Sequence, residues 1–446
     1  MSIVLLDGLF LRKIHRHHPT ISTSGADIVS IAEKVKKIAQ DARQASLVMA
    51  RLSSAVKNTM LLHMAEALEK AAPELIAANR NDLDTGRQKG LSSAMLDRLM
   101  LDEARIRGIG SALREVAALP DPVGEVTGMW KRPNELMVGK MRIPLGTIGI
   151  IYESRPNVTA DAAALCLKAG NAVVLRGGSE AINSNLAIAG VLQGVLQNMN
   201  LPAAALSLIP FTEREGVLEM LKQEESIDLI IPRGGESLIR FVVENSRIPV
   251  IKHYKGVCHI FVDQSADFDK AEQIIINSKT QRPGVCNALE TLLIHRDVAA
   301  TFIPRIAAAL AGLGVELRGD AEFCRLAPTA LPATEEDWHA EYLELILACR
   351  VVDDIDAAID HINRYCSLHT ESIITSDYGR AQRFIREVNS SCVMVNASTR
   401  FADGGQLGLG AEIGISTTKL HSFGPMGLVD LTTTKFIVYG DGQVRE

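Results

Sequence analysis

The sequence lacks the patterns that mark several common classes of protein. No apolar run reaches the ~18 residues of a membrane-spanning helix. No basic block with interleaved aromatic residues is present, and 47 Lys and Arg against 53 Asp and Glu leave a formal charge of −6. No Cys-x-x-Cys pair or Cys/His spacing typical of a metal site occurs. We therefore expect neither a membrane, nor nucleic acid, nor a metal ion as a partner.

The cysteines and the N-terminus both favour a cytoplasmic location. The seven cysteines are odd in number and scattered, which is typical of a reducing compartment. An apolar run at residues 3–11 precedes a basic cluster, the reverse of the order in a secretory signal. Residues 1–25 are predicted to form a poorly ordered extension.

Two periodicities divide the chain. Residues 26–119 have helical spacing of apolar side chains, after which strands and helices alternate. Apolar runs at 147–152 and 172–175 enclose a helical segment at 161–168, and a second alternation follows residue 286. Strands buried on both faces and joined by helices predict doubly wound parallel sheets in two α/β domains.

Two shorter segments have the character of β-structure outside those sheets. Strand-like residues on either side of 131–134 predict a β-hairpin. The run 428–439 is also β-rich and is a candidate for pairing with a partner subunit.

Cys286 is the strongest candidate for a catalytic nucleophile. It follows the turn Pro283-Gly284 and precedes an apolar strand, so the turn exposes it at a strand end. Lys279 and Arg282 are expected to favour the thiolate over the thiol. A buried, structural cysteine is the alternative that these residues alone leave open.

A dinucleotide site has to be sought without the usual motif, because no Gly-x-Gly-x-x-Gly follows the first strand. Two Gly-Gly turns at strand ends, 176–179 and 232–236, place backbone amides where they can approach a phosphate. Each is a weak signal, since most such turns have no ligand.

Several segments, in the same order, resemble the aldehyde dehydrogenase superfamily, and some are very similar to signatures of its gamma-glutamyl phosphate reductase (glutamate-5-semialdehyde dehydrogenase) family. The superfamily blocks are 150–157, 168–179, 282–291 and 422–425, and the family segments are 152–159, 282–291 and 401–406. The resemblance covers essentially residues 27–446.

The resemblance implies an aldehyde dehydrogenase-like α/β fold with a small β oligomerisation element, and hence a homo-oligomer. Residues 26–122 and 144–254 would form a Rossmann-like cofactor domain. Residues 255–422 would form the catalytic domain, with 123–143 and 423–446 as the oligomerisation hairpin and strand.

The resemblance also implies an activity, the NADPH-dependent reduction of L-glutamate 5-phosphate to L-glutamate 5-semialdehyde in proline biosynthesis. Cys286 would carry the acyl group as a thioester, and Asn157 matches the superfamily's oxyanion-binding asparagine. Because an acyl phosphate is labile, association with glutamate 5-kinase would be useful, and the sequence leaves that association open.

Further site residues follow from position in the matching blocks. NADPH is expected because Ser179 stands where NAD-preferring members often have an acid, next to Arg176, although Glu180 could oppose this preference. The candidates for binding cofactor are Arg176, Ser179, Gly234 and Gly235. The candidates for binding substrate are Arg155, Arg282, Glu290, Arg400 and Asp403.

Two departures from the superfamily bear on the type of reaction. The glutamate that activates water in hydrolytic members is missing, with His253 nearest its place, and a second glutamate is replaced by His421. These losses disfavour the alternative, a hydrolytic NAD(P)-dependent aldehyde dehydrogenase acting on another small aldehyde. A non-catalytic scaffold is disfavoured because Cys286 and Asn157 are both present. Whether either histidine donates a proton is left open.

Overall fold

A computed structural model of the chain describes residues 30–445, so the predicted extension at residues 1–25 lies outside the described residues. The helices are α1 Ile31–Met49, α2 Ser54–Lys70, α3 Ala72–Gln88, α4 Ser93–Leu99, α5 Glu103–Ala118, α6 Asn157–Lys168, α7 Ile182–Asn198, α8 Arg214–Met220, α9 Glu236–Asn245, α10 Phe268–Thr280, α11 Arg296–Gly312, α12 Ala321–Leu326, α13 Ile355–Tyr365 and α14 Tyr378–Glu387. The strands are β1 Val126–Lys131, β2 Met137–Pro144, β3 Thr147–Tyr152, β4 Ala172–Gly177, β5 Leu206–Leu208, β6 Leu229–Arg233, β7 Cys258–Val262, β8 Leu289–His295, β9 Glu316–Gly319, β10 Leu331–Pro332, β11 Ile346–Val352, β12 Thr370–Ile374, β13 Cys392–Val395, β14 Gly414–Ser416, β15 Gly424–Met426 and β16 Thr432–Tyr439. Within this range, no helix is both long and apolar enough to cross a membrane.

The N-terminal part is helical, as its spacing predicts, and it ends in a buried ion pair. Lys57 on α2 donates to Asp121, with 2.8 Å between Nζ and Oδ2, and both side chains are almost fully buried. The Asp121 carboxylate also accepts from the hydroxyl of Ser54 and the backbone N–H of Val123. This network fixes the point at which the helices pass to the hairpin.

The first parallel sheet has the strand order β5-β4-β3-β6. Successive side chains of β3 enter different cores, because Ile148 and Ile150 pack towards α2, α5 and α6 whereas Ile151 packs towards α1. A strand covered on both faces reads as a continuous apolar run. The strands predicted at 147–152 and 172–175 are confirmed.

The second parallel sheet has the order β10-β9-β11-β8-β7-β12-β13. Sequence periodicity did not predict β7 or β11, because each carries a polar residue in its apolar run. His259 on β7 lies 2.9 Å from Glu371 on β12, and Arg350 on β11 lies 2.9 Å from His361. Pairing across elements makes these interruptions compatible with a strand.

A third, antiparallel sheet has the order β1-β2-β16. The predicted hairpin is confirmed, with Lys131 opposite Met137 at its turn. The C-terminal strand pairs with β2 of its own chain along its whole length, from Thr432 opposite Pro144 to Tyr439 opposite Met137. Pairing with another subunit would have to use the other edge of β16, which has no strand partner within residues 30–445.

Replacing Lys57 by Ala should destabilise the protein by about 3–5 kcal/mol, because the Asp121 carboxylate would be left buried without its cation. Comparison of chemical unfolding midpoints measures the change. Lys37→Ala is the matched control, since Lys37 and Asp41 form an exposed pair whose loss should cost at most about 1 kcal/mol. Equal effects of the two substitutions would contradict the structural role of the buried pair.

Candidate active site

Cys286 lies in the loop between α10 and β8, and the backbone of this loop is held from two sides. The thiol of Cys258, the first residue of β7, donates to the carbonyl oxygen of Cys286 at 3.2 Å. The side-chain amide of Asn287 donates to the carbonyl oxygen of Ala402 at 3.0 Å. The loop therefore presents the half-buried Cys286 thiol from a fixed backbone.

Gly256 contacts the same backbone so closely that a side chain cannot be added. A Cβ atom on Gly256 would lie 1.9 Å from the carbonyl oxygen of Cys286 and 2.6 Å from its carbonyl carbon. The N–H of Gly256 donates to Glu341 Oε1 at 2.8 Å. Glycine is thus required here by close approach of two backbones.

The surroundings of Cys286 favour the thiol form. Burial, followed by the charges of Glu412 and Glu341, raises the pKa of Cys286 to about 12, and Arg233 opposes the increase. The expectation that Lys279 stabilises the thiolate is wrong, because Lys279 is buried in an ion pair with Glu290. The same expectation for Arg282 stays a prediction, and Arg233 is a cation that sequence inspection did not assign to Cys286.

Glu290 does not lie where a substrate could reach it. Its side chain is fully buried and lies 2.7 Å from Lys279 Nζ, and its second oxygen accepts from the N–H of Leu343 at 3.3 Å. Burial raises the pKa of Glu290 to about 7, with Lys279 opposing. We therefore correct the prediction of a substrate contact: Glu290 balances a buried lysine behind the Cys286 loop.

Asn157 is the first residue of α6, and its exposed side chain turns along its own helix. The amide donates to Asp161 Oδ2 at 2.8 Å. Burial raises the pKa of Asp161 to about 6, while the Asn157 hydrogen bond and Arg233 oppose the increase. Both residues line a cavity of about 350 Å³ between α4, α5 and α6.

The predicted substrate arginines belong to one cationic region near Cys286. Burial lowers the pKa of Arg155, and the charges of Arg233, Arg98 and Arg282 add to the decrease, whereas Cys286 opposes it. Burial followed by the charge of Arg282 also lowers the pKa of Arg400, with Asp403 and Cys286 among the opposing charges. Such a concentration of guanidinium groups favours the binding of an anion.

Arg400 and Asp403 have additional structural contacts. Arg400 donates to Gln281 at 2.9 Å and contacts the Asn287 side chain, so it joins the two ends of the Cys286 loop. Asp403 is exposed and accepts from the N–H groups of Gly405 and Gln406. Its carboxylate therefore stabilises the turn that begins at residue 403.

The Gly234-Gly235 turn leads from β6 into α9, where free backbone N–H groups are available to an anion. The N–H of Gly235 donates to Glu153 Oε2 at 3.0 Å. Both glycines are exposed. A carboxylate already bound to this helix N-terminus shows that the turn suits an anionic group.

Arg176 is the penultimate residue of β4, and Ser179 follows the strand on the surface. Arg176 Nη2 donates to the carbonyl oxygen of Thr212 at 2.9 Å, whereas Nε is buried without a hydrogen-bond partner among the described residues. Glu180 accepts from the N–H of Ser154 at 2.7 Å and from its hydroxyl. The carboxylate that could oppose a cofactor phosphate is therefore engaged by Ser154.

The two histidines in place of superfamily glutamates lie in different environments. Burial and then the charge of Arg233 lower the pKa of His253 to about 4, so this ring is neutral near pH 7. His421 is exposed and its Nε2 lies 2.6 Å from the carbonyl oxygen of Asp430, beside the C-terminal strand. Of the two, only His253 shares a charged neighbour with Cys286.

Sequence inspection did not identify several residues that surround Cys286, namely Arg233, Gly256, Glu341 and Glu412. Arg233 stands inside a turn that was chosen for its glycines alone. Glu341 and Glu412 lie in segments without a recognisable motif, and each is brought in by accepting from a backbone N–H, of Gly256 and Gly404 respectively. No sequence signal would have identified these carboxylates, because the contacts join distant segments.

Gly256→Ala should displace the Cys286 loop, because the added Cβ meets backbone atoms that no rotamer change can move. Displacement would reduce the burial that raises the Cys286 pKa, so we expect Cys286 to react at least about fivefold faster with iodoacetamide at pH 8. Mass spectrometry of the Cys286 peptide measures the rate. Gly194→Ala is the control, since nothing lies within 4 Å of a Cβ there; an unchanged rate in Gly256→Ala would refute the role of the contact.

The chain is similar to known proteins over nearly all of its length. The sequence profile of the aldehyde dehydrogenase family matches residues 12–344. The chain is 77% identical over 418 residues to a gamma-glutamyl phosphate reductase of Geotalea daltonii, covering 94% of this chain and 100% of that protein. It is 76% identical to the protein of the same name from Geobacter sp. strain M21 over 417 residues, 94% of this chain and 100% of that protein.

A solved structure agrees with these relatives. The crystal structure of a gamma-glutamyl phosphate reductase from Thermotoga maritima superposes with a TM-score of 0.91 at 47% identity, covering 92% of this chain and 100% of that chain. These similarities show that the chain belongs to the gamma-glutamyl phosphate reductase family of the aldehyde dehydrogenase superfamily.

Proposed function

We propose that this chain reduces L-glutamate 5-phosphate to L-glutamate 5-semialdehyde and phosphate, with NADPH, in proline biosynthesis. The observation that carries the proposal is the fixed Cys286 loop beside a cationic region, in a chain 77% identical to a protein named gamma-glutamyl phosphate reductase. A thiol next to several guanidinium groups suits acyl transfer from an acyl phosphate.

The Cys286 thiol must lose its proton before it attacks, and the neighbouring carboxylates are placed to accept it. Glu412 and Glu341 are the acids whose charges act on Cys286. Burial raises the pKa of both carboxyl groups, which brings them closer to the value that a base at neutral pH requires. We assign proton acceptance to this pair.

The thiolate forms a bond to the C5 carbonyl carbon, and the C5–O bond to phosphate breaks to give a thioester at Cys286. NADPH, when bound, supplies the hydride that reduces this thioester. The resulting oxyanion re-forms its C=O bond as the C–S bond breaks, which releases the aldehyde and the Cys286 thiolate. This collapse itself consumes no proton. The carboxylate pair passes the proton taken from the Cys286 thiol to the departing phosphate, and one proton taken up from solvent returns the released thiolate to the thiol.

Two oxyanions develop at the same carbon in this cycle, and each needs hydrogen-bond donors. The Asn157 side-chain amide, at the exposed start of α6, and the backbone N–H of Cys286 are the proposed donors. The phosphate of the substrate is assigned to Arg155 and Arg282. Arg155 suits this role because its guanidinium forms no hydrogen bond or ion pair among residues 30–445.

The hydrolytic alternative lacks support at the position where it would need a base. His253 stands nearest the place of the missing glutamate, and it is buried beside Arg233. Arg233 is a cation, and a cation destabilises the protonated form that a histidine base must adopt. The site therefore favours phosphate over water as the acyl partner.

Family membership implies a nicotinamide cofactor, and we propose that this cofactor is NADPH. Residues 26–122 and 144–254 would bind it, with the pyrophosphate at Gly234-Gly235 and the 2′-phosphate at Arg176 and Ser179. The orphaned Arg176 Nε supports this assignment, because a buried donor without an acceptor suits an anionic group. Residues 255–422 would form the catalytic unit.

The small sheet is assigned to contacts between copies of the chain. Residues 123–143 and 423–446 contribute to it, and its apolar side chains Trp130, Phe436 and Val438 are exposed. The free edge of β16 and this apolar surface suit burial against a second copy. We further propose that the chain associates with glutamate 5-kinase, because such an association would protect a labile acyl phosphate.

The phosphate requirement tests the reaction. NADP⁺ reduction with glutamate semialdehyde should require inorganic phosphate, because phosphate releases the acyl group from Cys286 in the reverse direction. Cys286→Ser should lower kcat by at least about 10³-fold, while Cys324→Ser, which changes a distant half-buried thiol, should keep activity. Turnover that is independent of phosphate would refute the proposed reaction.

Arg176→Ala should raise KM for NADPH by about tenfold or more and change KM for NADH by no more than about twofold, because only NADPH carries the 2′-phosphate. Arg247→Ala is the control, since Arg247 is exposed and its nearest acid, Glu224, lies 3.9 Å away. An equal change for both cofactors would count against a 2′-phosphate site at Arg176.

A further inference from the structure

A cavity beside Asn157 is lined by residues from α4, α5 and α6 and the segments next to them. It has a volume of about 350 Å³, within the range of small-molecule sites. We call it the head-group pocket; its walls are Arg98, Met100, Leu101, Arg105, Gly108, Ile109, Ala112, Pro156, Asn157 and Asp161.

The charges of the head-group pocket differ in how far they are already neutralised. Arg105 is already paired, because its guanidinium lies 2.6 Å from Asp97 and also donates to the carbonyl oxygen of Met100. Arg98 is exposed, and its guanidinium has no hydrogen bond or ion pair among residues 30–445. Asp161 has a single side-chain partner, the neutral amide of Asn157. The pocket thus offers one cation and one anion to a ligand.

Two neighbouring residues relate the pocket to the proposed reacting centre. Asn157, the proposed oxyanion donor, forms part of its wall. Arg155, two positions earlier, is close enough to both Arg98 and Cys286 for each to act on its pKa. Three single bonds separate the C5 carbonyl of the substrate from its α-carbon, a reach of about 4 Å. A C5 carbonyl that accepts from the Asn157 amide would thus have its α-carbon about 4 Å away, next to the wall that Asn157 contributes to the pocket.

We propose that the head-group pocket binds the α-amino acid end of the substrate, with Asp161 accepting from the α-ammonium and Arg98 donating to the α-carboxylate. This assignment rests on the proposed function. It divides the arginines by role: Arg155 and Arg282 hold the phosphate, and Arg98 holds the carboxylate at the other end. The Asp161 carboxylate has no ion-pair partner among residues 30–445, where its side-chain partner is the neutral Asn157 amide, and the ammonium supplies a cation.

The test uses three aldehydes that differ only at the head group, in the phosphate-dependent NADP⁺ assay: glutamate semialdehyde, 5-oxopentanoate without the ammonium, and pentanal without either charge. Asp161→Asn should raise KM for glutamate semialdehyde by about tenfold or more and leave KM for 5-oxopentanoate within about twofold. Arg98→Met should raise KM for both acids and leave pentanal unchanged. Arg107→Ala, on the outer face of α5 and paired with Glu103, is the control and should match the parent.

The outcomes separate this subsite from the proposed function. A parent enzyme without phosphate-dependent activity on glutamate semialdehyde would overturn the function and the subsite with it. An active parent in which Asp161→Asn lowers kcat equally for all three aldehydes would show that Asp161 only positions Asn157, and would overturn the subsite alone. Arg98 is exposed, so Arg98→Met tests the carboxylate contact even where Asp161→Asn fails to fold; equal KM values for parent and Arg98→Met would refute it.

Discussion

The contact between the backbones of Gly256 and Cys286 determines how the site is assembled. Gly256 precedes β7, and Cys286 precedes β8, so the contact joins the amino ends of two adjacent parallel strands. Cys258 pairs with Leu289 just before a shift in the register of the ladder, and its thiol donates to the Cys286 carbonyl oxygen. Because both strands are buried on both faces, the nucleophile loop has little freedom to move away.

The same packing explains the electrostatics of the thiol. A site that buries Cys286 beside Glu341 and Glu412 disfavours a second negative charge, so the thiolate is not the resting form. The region near Cys286 also holds several guanidinium groups, those of Arg155, Arg282 and Arg400. In the proposed reaction the phosphorylated substrate brings negative charge into this region, and that charge shifts the proton equilibria of the neighbouring groups. Substrate binding and proton transfer are therefore electrostatically linked.

The sequence predicted the sheets well, because strands covered on both faces leave long apolar runs such as 147–152. It predicted side-chain roles less well. Lys279 and Glu290 are close to Cys286 in the sequence, which predicts a role for both in the site. A charged side chain on a buried strand such as β8 needs a partner inside the protein, and Lys279 and Glu290 pair with each other. Conversely, Glu341 reaches Gly256 across 85 positions, and only folding reveals that contact.

In the proposed reaction, Asn157 and Asp161 would connect recognition of the substrate to stabilisation of the oxyanion. They are one helical turn apart, so in the absence of a ligand the amide of Asn157 satisfies the Asp161 carboxylate. An ammonium in the head-group pocket offers Asp161 a charged donor, which is a stronger partner than a neutral amide. The amide is then free to turn towards the carbon at Cys286. An aldehyde without the ammonium leaves Asn157 engaged, so the pocket can discriminate through the oxyanion donor as well as through affinity.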